Sequence, residues 1–405
     1  MMGDFHQNGS VATLHNLSKM PVKQIENQLR SFARNRKITL ILPSLFSELQ
    51  TPALAGIVDE LCHADYINNI VIGLDQANED EFKFAKQYFS ILPQQHDILW
   101  NDGPRLRAIH NRLEEVNIAP KEAGKGRNVW YCIGYTLASQ NSDVVALHDC
   151  DIVTYKREML ARLIYPVANP SFSYQFCKGY YPRIADGKLN GRVTRLLVTP
   201  LLLALQKTCG HNDYVEYLQG FRYPLAGEFA MRTSILPTMR IPSDWGLEIG
   251  VLSEVWRNLN RNAVCQVDIS DAYDHKHQPL SKEDANKGLS RMSADIAKAL
   301  FRKLATDGVT FSNERFRTLK ATYYRTALDL IEMYYNDAVF NGLHVDRHTE
   351  EEAVELFAAN IVEAGHIFLD NPMETPFIPN WSRVQSADPD ILPNLLSAVK
   401  ADKEG

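Results

Sequence analysis

The chain has 405 residues, of which 45% are hydrophobic and 23% charged. That composition fits a globular protein of roughly two or three domains and excludes a disordered, collagen-like or polytopic membrane chain. Its 43 Lys and Arg stand against 49 Asp and Glu, a net charge of −6, so no global basic field exists to hold nucleic acid, although a local cluster could still bind a small anion.

Residues 1–20 read as a loose tail with a polar start, and Val22–Phe32 as a short amphipathic helix; together, 1–35 lead into the first core strand. That strand is Ile38–Leu42, an apolar run closed by Pro43-Ser44, the signature of a strand buried on both faces. A helix at Ala53–Leu61 and a strand at Asn69–Gly73 follow. Next come a helix at Glu79–Phe89, a strand at Asp97–Trp100, a helix at Asn128–Leu137 and a strand at Asp143–His148. Strands alternating with helices predict an α/β fold with a mostly parallel sheet flanked by helices, whose ligands bind beyond the carboxyl ends of the strands. A further helix spans Leu196–Leu205 and a further strand Ala263–Val267.

From Ser281 the pattern turns helical: Met292, Ile296, Leu300 and Leu304 share a face, and Leu319–Phe340 and Thr349–Phe368 follow. Thr349 with Glu352 reads as a capping box. Asn371–Trp381 is Pro-rich and expected to run over the surface. The expected domains are therefore 36–280, an α/β domain, and 281–405, a helical extension that packs on it or forms a dimer interface. The six cysteines are scattered with no CxxC pair, which predicts free thiols in a reducing compartment. With no secretory signal and no apolar run near the about 20 residues that span a bilayer, the expected location is cytoplasmic.

Five polar clusters sit at strand ends and helix starts. Asp149-Cys150-Asp151 places two carboxylates on one side of an extended strand tip, where they repel unless a cation such as Mg²⁺ or Mn²⁺ lies between them. A solvated turn is the competing reading. Gly124-Lys125-Gly126-Arg127 can approach a phosphate closely and offers a point charge, but lacks P-loop spacing; alone it reads as a surface loop. His275 and His277 follow a strand, and an imidazole could complete a carboxylate metal site or be exposed in a polar loop. Tyr223–Gly250 alternates Glu228, Asp244 and Glu248 with Trp245 and glycines, either lining a sugar site or starting a helix capped by Ser243. Gly191-Arg192-Val193-Thr194 is either an anion site or an ordinary helix start.

In order and spacing, these strings resemble the glucosyl-3-phosphoglycerate synthase family, retaining glycosyltransferases with the GT-A nucleotide-sugar-binding fold. The match runs over roughly residues 36–280, through Leu42–Leu45, Gly124–Gly126, Asp149–Asp151, Gly191–Thr194, Pro224–Ala230, Gly246–Gly250 and His275. A secondary resemblance is to mannosylglycerate synthase, through Ile72–Gln76, His148–Ile152 and Ser243–Gly246. The resemblance implies Asp151 and His275 as ligands of Mg²⁺ or Mn²⁺. It implies donor contacts at Pro43, Leu45, Glu48, Lys125, Asp149, Cys150 and Gly246. Acceptor contacts are implied at Gly191, Arg192, Val193, Thr194 and His277, and Glu248 beside the reacting sugar. The implied activity is glucosyl transfer from UDP-glucose or GDP-glucose to 3-phosphoglycerate, serving compatible-solute or polysaccharide-precursor synthesis, in a homodimer.

Departures from the family pattern fall at Phe46-Ser47-Glu48, Gly73-Leu74, Tyr273 and His277. Mannosyl transfer from GDP-mannose to glycerate or 3-phosphoglycerate, a metal-dependent nucleotidyltransferase, and a non-catalytic nucleotide-sugar binder stay as alternatives.

Overall fold

The computed structural model describes residue 7 and residues 10–243, 246–275, 288–373 and 377–405. Ten strands are described: β1 (Ala12–Leu14), β2 (Ile38–Leu45), β3 (Asn69–Asp75), β4 (Gln95–Trp100), β5 (Val144–Leu147), β6 (Phe176–Tyr180), β7 (Ile184–Ala185), β8 (Lys188–Leu189), β9 (Phe229–Arg232) and β10 (Val264–Asp268). Eight form one sheet in the order β1-β10-β6-β9-β5-β2-β3-β4, and β7 and β8 form a small separate hairpin. Every pairing in the large sheet is parallel except those of β9, which runs against both β5 and β6.

Alternation along the strands sorts the core into two layers. Leu40, Leu42, Ile70, Ile72, Val144 and Ala146 face helices Val22–Ala33, Pro52–Leu61, Glu79–Phe89 and Arg157–Ala168. Ile41, Val71, Val145 and Leu147 face Lys125–Ser139, Thr199–Cys209 and Leu247–Asn258, and the same apolar cluster continues through Leu300, Phe316, Phe357 and Leu395 of the later helices. The helices after 288 thus extend one face of the sandwich without a break in the core.

Several local expectations are revised. The stretch read as a loose tail supplies β1, an edge strand whose Ala12 sits opposite Cys265. Three residues are too few for a periodic signal, and pairing with β10 is what orders them. Strand β3 runs two residues past Gly73 to Asp75, because its pairing with β2 continues to Leu45. The Pro-rich segment enters the core at its end: Trp381 stacks on Trp130 with ring centroids 4.1 Å apart and donates from Nε1 to the Trp130 carbonyl at 3.0 Å. The helix expected from Thr349 starts at Arg347, capped by Asp346, and Glu350 is instead buried in an ion pair with Arg195 at 2.5 Å. Tyr334 lies against the same Arg195, and the Tyr323 hydroxyl donates to the Leu196 carbonyl at 2.6 Å, so these two tyrosines serve packing within the chain.

Candidate active site

The topology gathers one edge of the sheet into a polar cleft. The parallel strands β2, β3, β5, β6 and β10 all end there. Antiparallel β9 begins there, which brings Ala226-Gly227-Glu228 to the same edge. The clusters around Lys125, Asp149–Asp151, Glu228–Glu248 and His275 converge on that edge from separate strands and helices.

Lys125, the first residue of helix Lys125–Ser139, lies at the centre. Its Nζ is 2.5 Å from Asp149 Oδ1 and 3.0 Å from Glu248 Oε1, so one ammonium joins the tip of β5 to the first turn of helix Leu247–Asn258. Burial works against charge on Lys125, but the two carboxylates outweigh it and hold its pKa well above the ordinary lysine value. Burial likewise pushes Asp149 up, and the Lys125 ammonium more than reverses it, so Asp149 stays ionised. Asp149 also presses on Gly227, where a Cβ would fall 2.3 Å from Oδ2, so only glycine fits under that carboxylate.

Two residues on, Asp151 Oδ2 is 3.6 Å from His275 Nδ1, with Ile152 and His275 paired as an isolated antiparallel bridge. Two ligands bound at about 2.1 Å to one octahedral cation stand about 3.0 Å apart when adjacent and about 4.2 Å when opposite. The pair therefore fits a shared divalent ion. The carboxylate oxygen suits Mg²⁺ or Mn²⁺, and the imidazole favours Mn²⁺ of the two, with further positions left for phosphate oxygens. A second set, His211, Asp213 and Glu216, also converges, but it is largely exposed, and Glu216 accepts there from Ser10 ahead of β1.

The loop after β2 adds a third carboxylate. Glu48 folds back so that Oε2 accepts from the Leu45 N–H and the Ser44 hydroxyl, both at 3.1 Å. Burial raises its pKa to about 7, with Asp151 and Asp149 adding to the rise. Leu45 is exposed and Pro43 half-buried beside it. Cys150 differs: its side chain is buried in the core beside Ser44 and Glu48.

Gly191 and Arg192 lead into a helical segment whose first residues, Val193–Val198, are wound as a π-helix before the α-helix Thr199–Cys209. The sequence placed the start of this helix at Leu196. Arg192 is half-buried, and among the described residues no carboxylate pairs with it. Thr194 is buried, and among the described residues its hydroxyl has no hydrogen-bond partner. Helix Leu247–Asn258 has Gly246 as its N-cap, so Ser243 is not its cap. His277, Asp244 and Trp245 lie outside the described residues.

Sequence reasoning gave no role of their own to three groups at this edge, Lys178, Asp75 and Glu228, the last named only as a member of the Tyr223–Gly250 cluster. Lys178 on β6 is fully buried and donates to the Ala226 carbonyl at 2.5 Å, and burial lowers its pKa to about 8. Glu228 is fully buried, its carboxylate taking hydroxyl donations from Tyr181 at 2.7 Å and Tyr273 at 2.6 Å. Burial and then Asp149 raise its pKa. At the tip of β3, Asp75 accepts from Asn101 at 2.7 Å and faces Arg127 at 3.4 Å. A Lys inside the apolar run Phe176–Tyr180 was the available signal for the first. The other two needed the pairing partners.

The mixed sheet with a polar cleft at its carboxyl edge, ringed by acids and one bridging lysine, defines a GT-A-type nucleotide-sugar glycosyltransferase. The solved structures bear out the fold. A glucosyl-3-phosphoglycerate synthase of Mycobacterium tuberculosis, crystallised with Mn²⁺, UDP-glucose and phosphoglyceric acid, superposes with a TM-score of 0.54 at 22% identity, over 75% of this chain and 89% of that one. A mannosyl-3-phosphoglycerate synthase of Rubrobacter xylanophilus gives 0.54 at 22%, over 73% and 82%.

No family model matches the chain. Among curated proteins, the glucosyl-3-phosphoglycerate synthase of Persephonella marina is 44% identical over 401 residues, 99% of both chains. That of Methanococcoides burtonii is 36% identical over 404 residues, 98% of both. The chain belongs to the glucosyl-3-phosphoglycerate synthase family.

Proposed function

We propose that this chain transfers glucose from UDP-glucose to the free hydroxyl of 3-phosphoglycerate with retention at the anomeric carbon. The carrying observation is the Asp151–His275 pair standing beside the Lys125 bridge between Asp149 and Glu248. The relatives along the full chain supply the substrate pair.

In this reading the anomeric C–O bond to the diphosphate breaks and a C–O bond to the acceptor forms on the same face. The acceptor proton passes to the departing phosphate oxygen. Asp151 and His275 hold Mg²⁺ or Mn²⁺, which when bound neutralises charge on the diphosphate. Lys125 adds a fixed positive charge where that negative charge develops, already oriented by two carboxylates before substrate arrives. Glu248 orients the sugar or the acceptor hydroxyl, and Asp149 faces the donor. Pro43, Leu45 and Glu48 line the nucleoside end, with the Cys150 and Gly246 backbones nearby. Gly191, Arg192, Val193 and Thr194 receive the acceptor phosphate; the Thr194 hydroxyl without a partner and Arg192 without a carboxylate, both among the described residues, support this. His277 belongs to the acceptor side by its place in the sequence.

The catalytic domain is 36–280, where all these residues lie, with 1–35 leading in and 281–405 bracing one face. The chain forms a homodimer, which the exposed Met333, Val339 and Phe340 near the end of helix Asn313–Phe340 support; sedimentation at two concentrations tests it. It acts in the cytoplasm, a placement supported by six free cysteines, Cys177 and Cys265 among them although they face each other across neighbouring strands. Among the described residues, no helix is long and apolar enough to cross a membrane.

The deciding experiment pairs UDP-glucose, GDP-glucose and GDP-mannose with glycerate and 3-phosphoglycerate, with Mg²⁺ or Mn²⁺, and reads product mass. A hexosyl adduct of 3-phosphoglycerate from UDP-glucose is expected. Product only from GDP-mannose would move the chain to mannosyl transfer, and pyrophosphate release would make it a nucleotidyltransferase.

A further inference from the structure

Arg183 is a buried cation that the reading above does not use. It follows β6, and the hairpin β7–β8 carries the chain from it back to Asn190, whose N–H donates to the Arg183 carbonyl at 2.7 Å. The side chain therefore lies along the acceptor loop. A Cβ on Gly191, whose φ is +77°, would sit 3.2 Å from Arg183 Cβ and Cγ and 3.5 Å from the Tyr223 hydroxyl. Arg192 is one residue further on and the unpartnered Thr194 hydroxyl three.

Arg183 is only 8% exposed, and no carboxylate forms an ion pair with it among the described residues. Its guanidinium lies over the Tyr273 ring at 5.3 Å, and Nη1 meets the Tyr223 hydroxyl at 3.2 Å, while buried Nε has no partner among the described residues. The nearby buried acid, Glu228, is taken up by the hydroxyls of Tyr181 and Tyr273. A ring face and one phenol offset little of the cost of burying a guanidinium, which has five N–H donors in a planar fork. Such a group is matched by a planar carboxylate from outside the chain.

We propose that Arg183 binds the carboxylate of the acceptor, completing a two-point clamp whose other point is the Arg192–Thr194 phosphate site. The inference rests on the acceptor reading above. The clamp selects an acceptor with two anionic groups, and the tyrosine stack holds the guanidinium in place before the acceptor arrives. Arg183 is then a specificity residue of the acceptor site.

The test is calorimetric titration of wild type, Arg183→Met and Arg183→Lys with 3-phosphoglycerate, glycerol 3-phosphate and UDP-glucose, in the presence of Mn²⁺. Both variants are expected to bind 3-phosphoglycerate about 10- to 100-fold more weakly, the loss of a charge-assisted pair. Binding of glycerol 3-phosphate, which lacks the carboxylate, and of UDP-glucose should hold. Unchanged 3-phosphoglycerate affinity overturns the proposal, as does an equal loss for glycerol 3-phosphate or for UDP-glucose. If Arg183→Met does not fold, Arg183→Lys decides, since it keeps the charge and loses the fork. If neither folds, Arg183 is structural and the proposal falls. An active wild type with indifferent variants sinks this inference alone, whereas a wild type that neither binds nor glucosylates 3-phosphoglycerate sinks the acceptor reading beneath it.

Discussion

The two ends of the cleft carry opposite imbalances of charge. Around the tips of β2 and β5, Glu48, Asp149, Asp151 and Glu248 gather about Lys125, with Lys178 the other lysine near them among the described residues. Around the hairpin and the 191–194 loop, Arg183 and Arg192 have no carboxylate among the described residues. One end has an excess of acid and suits a cation arriving with a diphosphate; the other has an excess of base and suits an anionic acceptor. A protein that satisfied each end from its own side chains would leave nothing for its ligands to neutralise. The unmet charge is a cost to the free fold, and bound substrates offset it.

Changes at the acidic end should act on rate. Asp151→Ala removes half of the cation pair and should cut metal-dependent turnover on the order of 10³-fold with an unchanged circular-dichroism spectrum; activity surviving in a metal-depleted assay would break the comparison. Glu248→Gln should lower kcat on the order of 10²-fold while UDP-glucose affinity holds, measured by single-turnover rates beside donor titration. At the basic end the effect moves to binding. Arg192→Ala should raise the KM for 3-phosphoglycerate by about 10- to 100-fold and leave that for UDP-glucose within about 2-fold; equal effects on both would erase the distinction between the ends.

The smallest effect lies behind the site. His148 is fully buried against Tyr155, both ring nitrogens without a partner among the described residues, and burial lowers its pKa from 6.5 to about 3. The neutral ring belongs to the folded state, so its contribution to stability is complete above pH 6.5 and is lost as pH falls from there toward 3. His148→Phe should therefore reduce the drop in Tm between pH 7 and pH 5 by about 1–2 °C, read by scanning calorimetry.

The parts legible in the sequence share one property: their signal is local. The apolar runs of β2, β3 and β5 announce strands buried on both faces, and Asp149 with Asp151 announces a charged tip without knowledge of any neighbour. Lys125 between glycines and Arg192 with Thr194 could be named as anion-seeking from their own segments. β9 could not be read so easily. Four residues, Phe229–Arg232, carry no periodicity, and their antiparallel insertion between β5 and β6 is a property of the whole sheet.

By itself, then, the amino-acid order determined an α/β chain, the Asp149–Asp151 carboxylates and the two anion-facing segments, because residue type and spacing within a short stretch suffice for each; the nucleotide-sugar class and the pairing of Asp151 with His275 came only from the order of those strings along the chain, which resembles a known family. The tertiary structure alone decided that Lys125 meets Asp149 and, across 123 residues of chain, Glu248, that Gly227 seats Asp149, and that Lys178, Arg183 and Glu228 lie buried at the same edge. These depend on strand order, and strand order is chosen by the packing of both faces of the sheet at once, which no single segment encodes.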